Sequence, residues 1–412
     1  MPTPTTIDVL TPSLYANPAE LHARYATLRR ESPVVWMDHP AYRPFWAVTR
    51  HADILGISQN NELFINAPRL TLIPKAAEAY QASIGMGREK SVRTIIDMDE
   101  PEHRKYRAVT QNWFLGRGVA RLQGSIEAIG RRYVDLIAEK GGRVDFAQDI
   151  ANWVPLNVIM RILGLPEEDS AFILRCTQAI LAASDPDLQR DQQLYGTAEF
   201  QELFKYLNGF VERWRREPTD DLGSVIANGL VDGAPMGLLE TLSYLMIAST
   251  AGHETTSSAM GGALLALIEQ PAAMAALRAD PSLWETAADE VVRFVSPVRH
   301  FLRTATADTV VGDVPIRAGE SVCMFYLSAN RDEAVFDAPF EFRPGRSPNR
   351  HLGFGTGAHY CLGRLLALAE LRALFRELLS RSTDIALDGE PRWAESNFVG
   401  SLKQLPVQIR MN

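Results

Sequence analysis

The segment His351 to Gly363 reads HLGFGTGAHYCLG and places Cys361 after a run of glycines, directly before an apolar helical pattern. Leu362, Leu365, Leu366, Ala369, Leu371, Leu374, Phe375 and Leu378 recur at helical spacing, so the cysteine sits at or just before a helix start. There, unpaired backbone N–H groups and the positive end of the helix dipole favour an anion and lower the pKa of a thiol. Gly353, Gly355, Gly357 and Gly363 permit tight turns and let the backbone approach a flat partner. A metal held by the sulfur is one reading; a buried packing cysteine beside an ordinary glycine turn is the other.

Three further groups have types and spacings that could do chemistry. Ala251-Gly252-His253-Glu254-Thr255-Thr256 falls in the middle of the strongest apolar pattern, Met236 to Glu269. A glycine and four polar groups are unfavourable there and need a local reason. Zinc is not that reason, because Ser257 stands where an HExxH motif needs its second histidine. Glu290 and Arg293 are three apart on a helix, which alone describes an ordinary ion pair. His103 and Arg107 are four apart and share one helix face.

Phe354-Gly355-x-Gly357-x-His359-x-Cys361-x-Gly363 closely resembles the haem-binding signature of the cytochrome P450 family, in which a cysteine thiolate is the axial iron ligand. The resemblance implies haem b as cofactor, with Cys361 as its metal ligand and Phe354 and Gly355 in the contacting loop. The segment around Glu254 resembles the family's oxygen-activating stretch, where an acid and the following alcohol pass protons to dioxygen over the haem. Glu254 and Thr255 take those roles, with Gly252 leaving space over the ring; many members have Asp at the position of Glu254.

The same resemblance makes Glu290 and Arg293 part of a structural cluster completed by an arginine upstream of the cysteine loop, Arg346, with Arg343 as competitor. Buried haem propionates require cations. His103, Arg107, Arg303 and His359 match the family's partners for them, although Arg299 lies close enough to Arg303 for the alignment to slip. Ile247, Ala248, Ala251, Val298, Phe301, Phe398, Val399 and parts of Leu70 to Ile95 match substrate-contacting regions. Most are apolar, so an apolar substrate of terpenoid, steroid or aromatic type is expected.

The implied activity is monooxygenation, a hydroxylation or epoxidation that draws electrons from NAD(P)H through a ferredoxin reductase and a ferredoxin. Arg104 and Lys105, with Arg364, form a candidate basic patch for an acidic ferredoxin. A peroxide-driven peroxygenase and a non-catalytic haem-thiolate binding protein are alternatives on the same fold. Without the resemblance, a helical cysteine hydrolase using Cys361 and His359 is a further reading.

The elements that must position these groups are mostly helical. Helices are predicted at Pro18 to Glu31, Glu102 to Phe114, Val119 to Glu139, Pro155 to Leu163, Phe200 to Arg216, Met236 to Glu269, Pro271 to Asp280, Leu283 to Val295 and Leu362 to Ser380. Short strands are predicted at Val34 to Met37, Phe45 to Thr49, Val310 to Val311 with Val314 to Ile316, Ser321 to Tyr326 and Val407 to Arg410. One small mixed sheet beside a helical body accommodates them, a mainly α chain with a small β region (α+β). The P450 fold has that form, a triangular helical body with small side sheets.

The 412 residues contain 46% hydrophobic residues and show no linker or internal repeat, so one domain with a β-rich lobe near 30–60 and 300–330 is expected. The N-terminal segment lacks the basic and apolar regions of a signal peptide, and a cytoplasmic protein without a membrane anchor is expected. Forty-two basic against fifty acidic residues argue against nucleic-acid binding. Cys176 and Cys323 are widely separated and read as core packing. A monomer is the family's usual form.

Overall fold

The computed structural model describes residues 5–83, 93–181, 185–188 and 197–412. Its centre is a pair of helices where the sequence predicted one. Leu238–Ala251 ends and Glu254–Glu269 begins at a break formed by Gly252 and His253. Side chains near the break compete for the backbone: Thr250 Oγ1 donates to Met246 O at 2.9 Å and His253 Nδ1 meets Ser249 O at 2.7 Å. Gly252 adds the weakest non-proline helix propensity. Thr256 to Leu267 are buried without interruption, so the second helix runs through the core instead of lying on its surface.

Helices pack around this pair in two clusters. Met260, Leu264, Val291, Leu371, Phe375 and Leu378 join the central pair to Trp284–Val295 and to the helix after the cysteine, Arg364–Arg381. Phe375 stacks on Trp284 with centroids 5.1 Å apart and planes at 15°. Leu156, Ile159, Leu207, Trp214 and Leu245 form the other cluster, beneath Trp153–Leu163 and Thr197–Arg216. Arg364–Arg381 also lies against Gly116–Glu139, which fixes the direction in which the cysteine loop enters its helix.

The β region is divided, which corrects the expectation of one sheet. A five-stranded mixed sheet has the order Val34–Met37, Phe45–Val48, Ser321–Phe325, His300–Ala305, Phe64–Ile65. Ser321–Phe325 is parallel to Phe45–Val48 and antiparallel to His300–Ala305. The C-terminal strand Pro406–Met411 instead pairs with Ser382–Leu387 and Arg143–Asp145 in a second sheet. The buried partners for its apolar face, Val407 and Ile409, lie in the helical core and not beside the first sheet. Among the described residues no single helix is long and apolar enough to cross a membrane.

Phe375 is fully buried at the junction of the cysteine helix and the core. Truncating it to alanine should cost about 3–5 kcal/mol of unfolding free energy. Denaturant titration of Phe375→Ala against the parent measures that loss.

Candidate functional site

The cysteine loop is suspended between the sheet region and the helix it precedes. Cys361 N donates to Phe354 O at 2.9 Å and Gly355 N to Leu352 O at 2.9 Å, closing the loop on itself. Gly357 has φ +75°, and a Cβ there would stand 2.2 Å from Ser58 O, so only glycine fits. Helix Arg364–Arg381 starts three residues past the sulfur, with Gly363 as its N-cap.

One polar cluster holds the loop from behind. Arg293 donates twice to Glu290, at 2.7 and 2.8 Å, and both side chains are fully buried. Arg346 Nε reaches the same carboxylate at 3.0 and 3.1 Å. Arg343 instead turns to Asp337 and Glu341 at the surface and gives Glu290 only its backbone N–H. Arg293 also donates to Asn330 O at 2.9 Å, and Asn330 Oδ1 accepts from Leu352 N at 2.7 Å. Asn330 and Asn349, which reaches Glu290 Oε2 at 3.2 Å, were missed in the sequence. A lone asparagine in a loop carries no spacing signal that would have marked either one.

Cys361 opens onto a large, mainly apolar cavity between this loop and the broken helix. The expected lowering of its pKa is reversed. Burial among protein atoms pushes the thiol up, against the N–H groups of Gly363 and Arg364 and the charges of Arg107 and Arg364. The helix start acts in the foreseen direction but is outweighed, and a metal cation on the sulfur would supply what the protein alone does not.

Four basic groups converge at one edge of the same cavity. His103, Arg107, Arg303 and His359 all line it. The His103 and His359 rings lie 3.9 Å apart at 33°. Asn66, also absent from the sequence reading, places Nδ2 3.0 Å from His359 Nε2. Arg107 donates to Tyr360 O at 2.7 Å and Arg303 to Leu302 O at 2.7 Å. Burial lowers the pKa of all four, and His359, pressed further by His103, Arg303 and Arg107, is pushed down to about 2. Such an edge suits a partner bearing carboxylates, which would return the lost charge stabilisation. Arg299 does not join it; its guanidinium is buried over Gly400 and beside Tyr15 and Trp393.

The opposite wall comes from the broken helix. Ile247, Ala248, Ala251, Gly252 and Thr255 line the cavity, and Thr255 Oγ1 donates back to Ala251 O at 3.3 Å. The space left by Gly252 is used otherwise than expected. A Cβ there would come within 2.5 Å of Ala248 O and 2.7 Å of Ile159 Cδ1, so glycine serves the break and the approach of Trp153–Leu163.

Glu254 is not in this wall. It is buried on the other side of the helix, with Oε1 3.5 Å from Thr177 Oγ1 and 3.5 Å from His253 Nε2. Val298, Phe301, Phe398 and Val399 complete the cavity, with Phe301 and Phe398 edge to face at 5.7 Å. Leu70 and Ile95 also line it, whereas residues 84–92 of the Leu70 to Ile95 segment lie outside the described residues.

A single sulfur facing a mainly apolar space, with cations at one rim, suits a cofactor that brings its own metal. Among the described residues no three His, Cys, Asp or Glu side chains converge as a metal set of their own. A family model described as cytochrome P450 matches residues 199–383. The chain is 37% identical over 411 residues to cytochrome P450-terp of a Pseudomonas species, covering 97% of this chain and 96% of that one. The crystal structure of CYP108D1 from Novosphingobium aromaticivorans superposes with a TM-score of 0.91 at 37% identity, over 98% of this chain and 97% of that one. Mycobacterium marinum CYP268A2, solved with pseudoionone, gives a TM-score of 0.90 at 33% identity over 99% of both chains.

The chain belongs to the cytochrome P450 family. It is a haem-binding monooxygenase, an oxidoreductase that uses dioxygen, an organic substrate and a redox partner.

The cluster behind the loop yields a quantitative expectation. Glu290→Ala strands Arg293 as a buried, unneutralised charge, a loss of about 3–5 kcal/mol. The haem-loaded variant should unfold at correspondingly lower denaturant, whereas Arg343→Ala at the surface should lie within about 0.5 kcal/mol of the parent.

Proposed function

We propose that Cys361 is the thiolate that holds haem b, and that the chain acts as one domain oxidising an apolar small molecule. The observation that carries this reading is that the Cys361 sulfur, Thr255 and the four basic groups line one cavity from three sides. When bound, the haem supplies the iron at which dioxygen is activated for transfer of one oxygen atom. His103, Arg107, Arg303 and His359 would hold its propionates, and Phe354 and Gly355 would lie along the ring on the cysteine side. Glu290, Arg293 and Arg346 keep the loop in place without touching the cofactor.

Thr255 and Glu254 hold the protons. The Thr255 hydroxyl is parked on Ala251 O, and turning it off that carbonyl frees its proton for the cavity. Glu254 has to receive protons on its own side of the helix and present them at the break, where backbone hydrogen bonding is already interrupted. The longer side chain than aspartate suits that reach.

Ile247, Ala248, Ala251, Val298, Phe301, Phe398 and Val399 present hydrocarbon to a substrate, so binding rests on burial of apolar area and not on a charged anchor. Among terpenoid, steroid and aromatic compounds, the terpenoid class has most support. One similar protein carries the name P450-terp, and another was solved with pseudoionone.

Electrons are proposed to come from NAD(P)H through a ferredoxin reductase and an acidic ferredoxin docking near Arg104, Lys105 and Arg364. Lys105 is paired with Asp232 at 2.6 Å, Arg364 with Asp289 at 3.5 Å and Arg104 with Glu100 at 3.7 Å; Arg104 is the most exposed of the three and has the longest pairing. The proposed form is a cytoplasmic monomer, and the net charge of -8 argues against nucleic-acid partners.

Two measurements test the core of this reading. The reduced, carbon-monoxide-bound protein should show the red-shifted Soret band of a thiolate ligand, and Cys361→Ser should lose it; a histidine-type band in the parent would refute the assignment. Thr255→Ala should divert electrons from product to peroxide by about tenfold or more at similar substrate affinity. A panel of apolar compounds screened by haem spectral shift should give its largest responses with terpenoids.

A further inference from the structure

Two irregular stretches of chain face the large cavity. Leu70 lines it from the segment after strand Phe64–Ile65, and Phe398 and Val399 line it from the turn before strand Leu402–Gln404. Neither stretch has a helical or sheet ladder to fix it, so individual hydrogen bonds must do so. His300, the first residue of strand His300–Ala305, lies between them with its side chain fully buried. Its Nε2 is 3.0 Å from Leu72 N and its Nδ1 is 2.8 Å from Asn397 O. The ring also rests against Phe398, with centroids 5.5 Å apart.

These partners leave the imidazole one protonation state. A backbone N–H only donates and a carbonyl oxygen only accepts, so Nε2 carries the lone pair and Nδ1 the proton. The opposite tautomer, or the imidazolium, would set an N–H against the Leu72 N–H. Burial acts in the same sense and pushes the pKa of His300 down to about 4. Further bonds hold both ends of the link. Leu302 N donates to Leu70 O at 2.7 Å, and Asn397 Nδ2 donates to Tyr42 Oη at 2.9 Å and to Leu10 O at 3.3 Å.

We propose that His300 is a positioning residue that clamps residues 70–72 to the turn at Phe398 and so fixes the separation of two walls of the substrate cavity. The inference rests on the substrate-facing role proposed above for Phe398. His300 itself does not line the cavity; it acts through the backbone on either side. Ligands long enough to reach these walls should depend on the clamp, and ligands that reach only the iron should not.

The test titrates the haem-loaded enzyme with N-methylimidazole and N-octylimidazole, which bind iron through the same nitrogen and differ in their apolar tail, and follows the Soret shift. His300→Ala leaves both backbone groups without their partner and should weaken N-octylimidazole about tenfold, with N-methylimidazole changed by less than about twofold. His300→Asn keeps a donor near Asn397 O and should recover part of the loss. Amide exchange at Leu72 should rise about tenfold in both variants, that at residues 398–400 only in His300→Ala, and that at 370–378 in neither. In the ferrous, carbon-monoxide-bound parent, long-range nitrogen–proton correlation should show His300 as the Nδ1–H tautomer.

An N-octylimidazole affinity unmoved by His300→Ala, in an enzyme where Phe398→Ala does change it, overturns the clamp and leaves Phe398 in the cavity wall. An affinity unmoved by Phe398→Ala itself refutes the reading on which the inference stands. Equal weakening of both imidazoles by His300→Ala, or an Nε2–H signal from His300 in the parent, also overturns the clamp. Should His300→Ala not hold haem, His300→Asn carries the test, and unchanged Leu72 exchange and N-octylimidazole affinity there overturn the proposal.

Discussion

A buried carboxylate has to be answered by cations, and the answer to Glu290 organises this molecule. Arg293 and Arg346 neutralise it, and the donors left over on Arg293 are spent on the carbonyls of Asn330, Pro339 and Glu341. Three chain segments are thereby tied to one helix, and Asn330 extends the tie to Leu352 at the base of the cysteine loop. Removing one member is costly because the others remain charged in a dry place. The cluster holds the sulfur by determining where the backbone may run, without contacting it.

The broken central helix solves a different problem. An uninterrupted helix would present residues 254 and 255 roughly 100° apart, with every carbonyl engaged. Glu254 and Thr255 both open the second helix and diverge by that angle, Thr255 toward the large cavity and Glu254 away from it, while the interruption at Gly252 and His253 loosens the backbone just before them. Hydroxyls and an imidazole take over the hydrogen bonding that the break releases.

Much of this was legible in the residues, and the exceptions have physical reasons. The Pro18–Glu31 helix and the Val34–Met37 strand match the expected bounds because an Asn-Pro start and a compact apolar run mark them locally. The convergence of His103, Arg107, Arg303 and His359 was foreseen through motif order. Asn66 and Asn330 were not, since each acts by a single long-range hydrogen bond. The central break was hidden because the apolar pattern resumes at once on either side of Gly252 and His253, and periodicity does not register so short an interruption. The upward push on the Cys361 thiol was not legible because a helix terminus is visible in sequence while the desolvation by protein atoms around the loop is not. The second sheet was missed because Ser382–Leu387 follows a helix without a turn signal, and its partner Pro406–Met411 finds its other neighbour, Arg143–Asp145, about 260 residues upstream.

The floor of the large cavity is built from two distant pieces of chain. Val298 and Val399 form an isolated backbone bridge, secured by Arg299 N to Phe398 O at 2.8 Å and Gly400 N to Pro297 O at 2.9 Å. This floor belongs to neither central helix nor to the cysteine loop. Part of the cavity wall is therefore housed apart from the central helices, which carry Thr255 along with the apolar Ile247, Ala248 and Ala251. Sequence drift at the turn around Phe398 can remodel which molecules fit without disturbing the sulfur, the alcohol or the buttress behind them, and one catalytic frame can be retuned to many hydrocarbons.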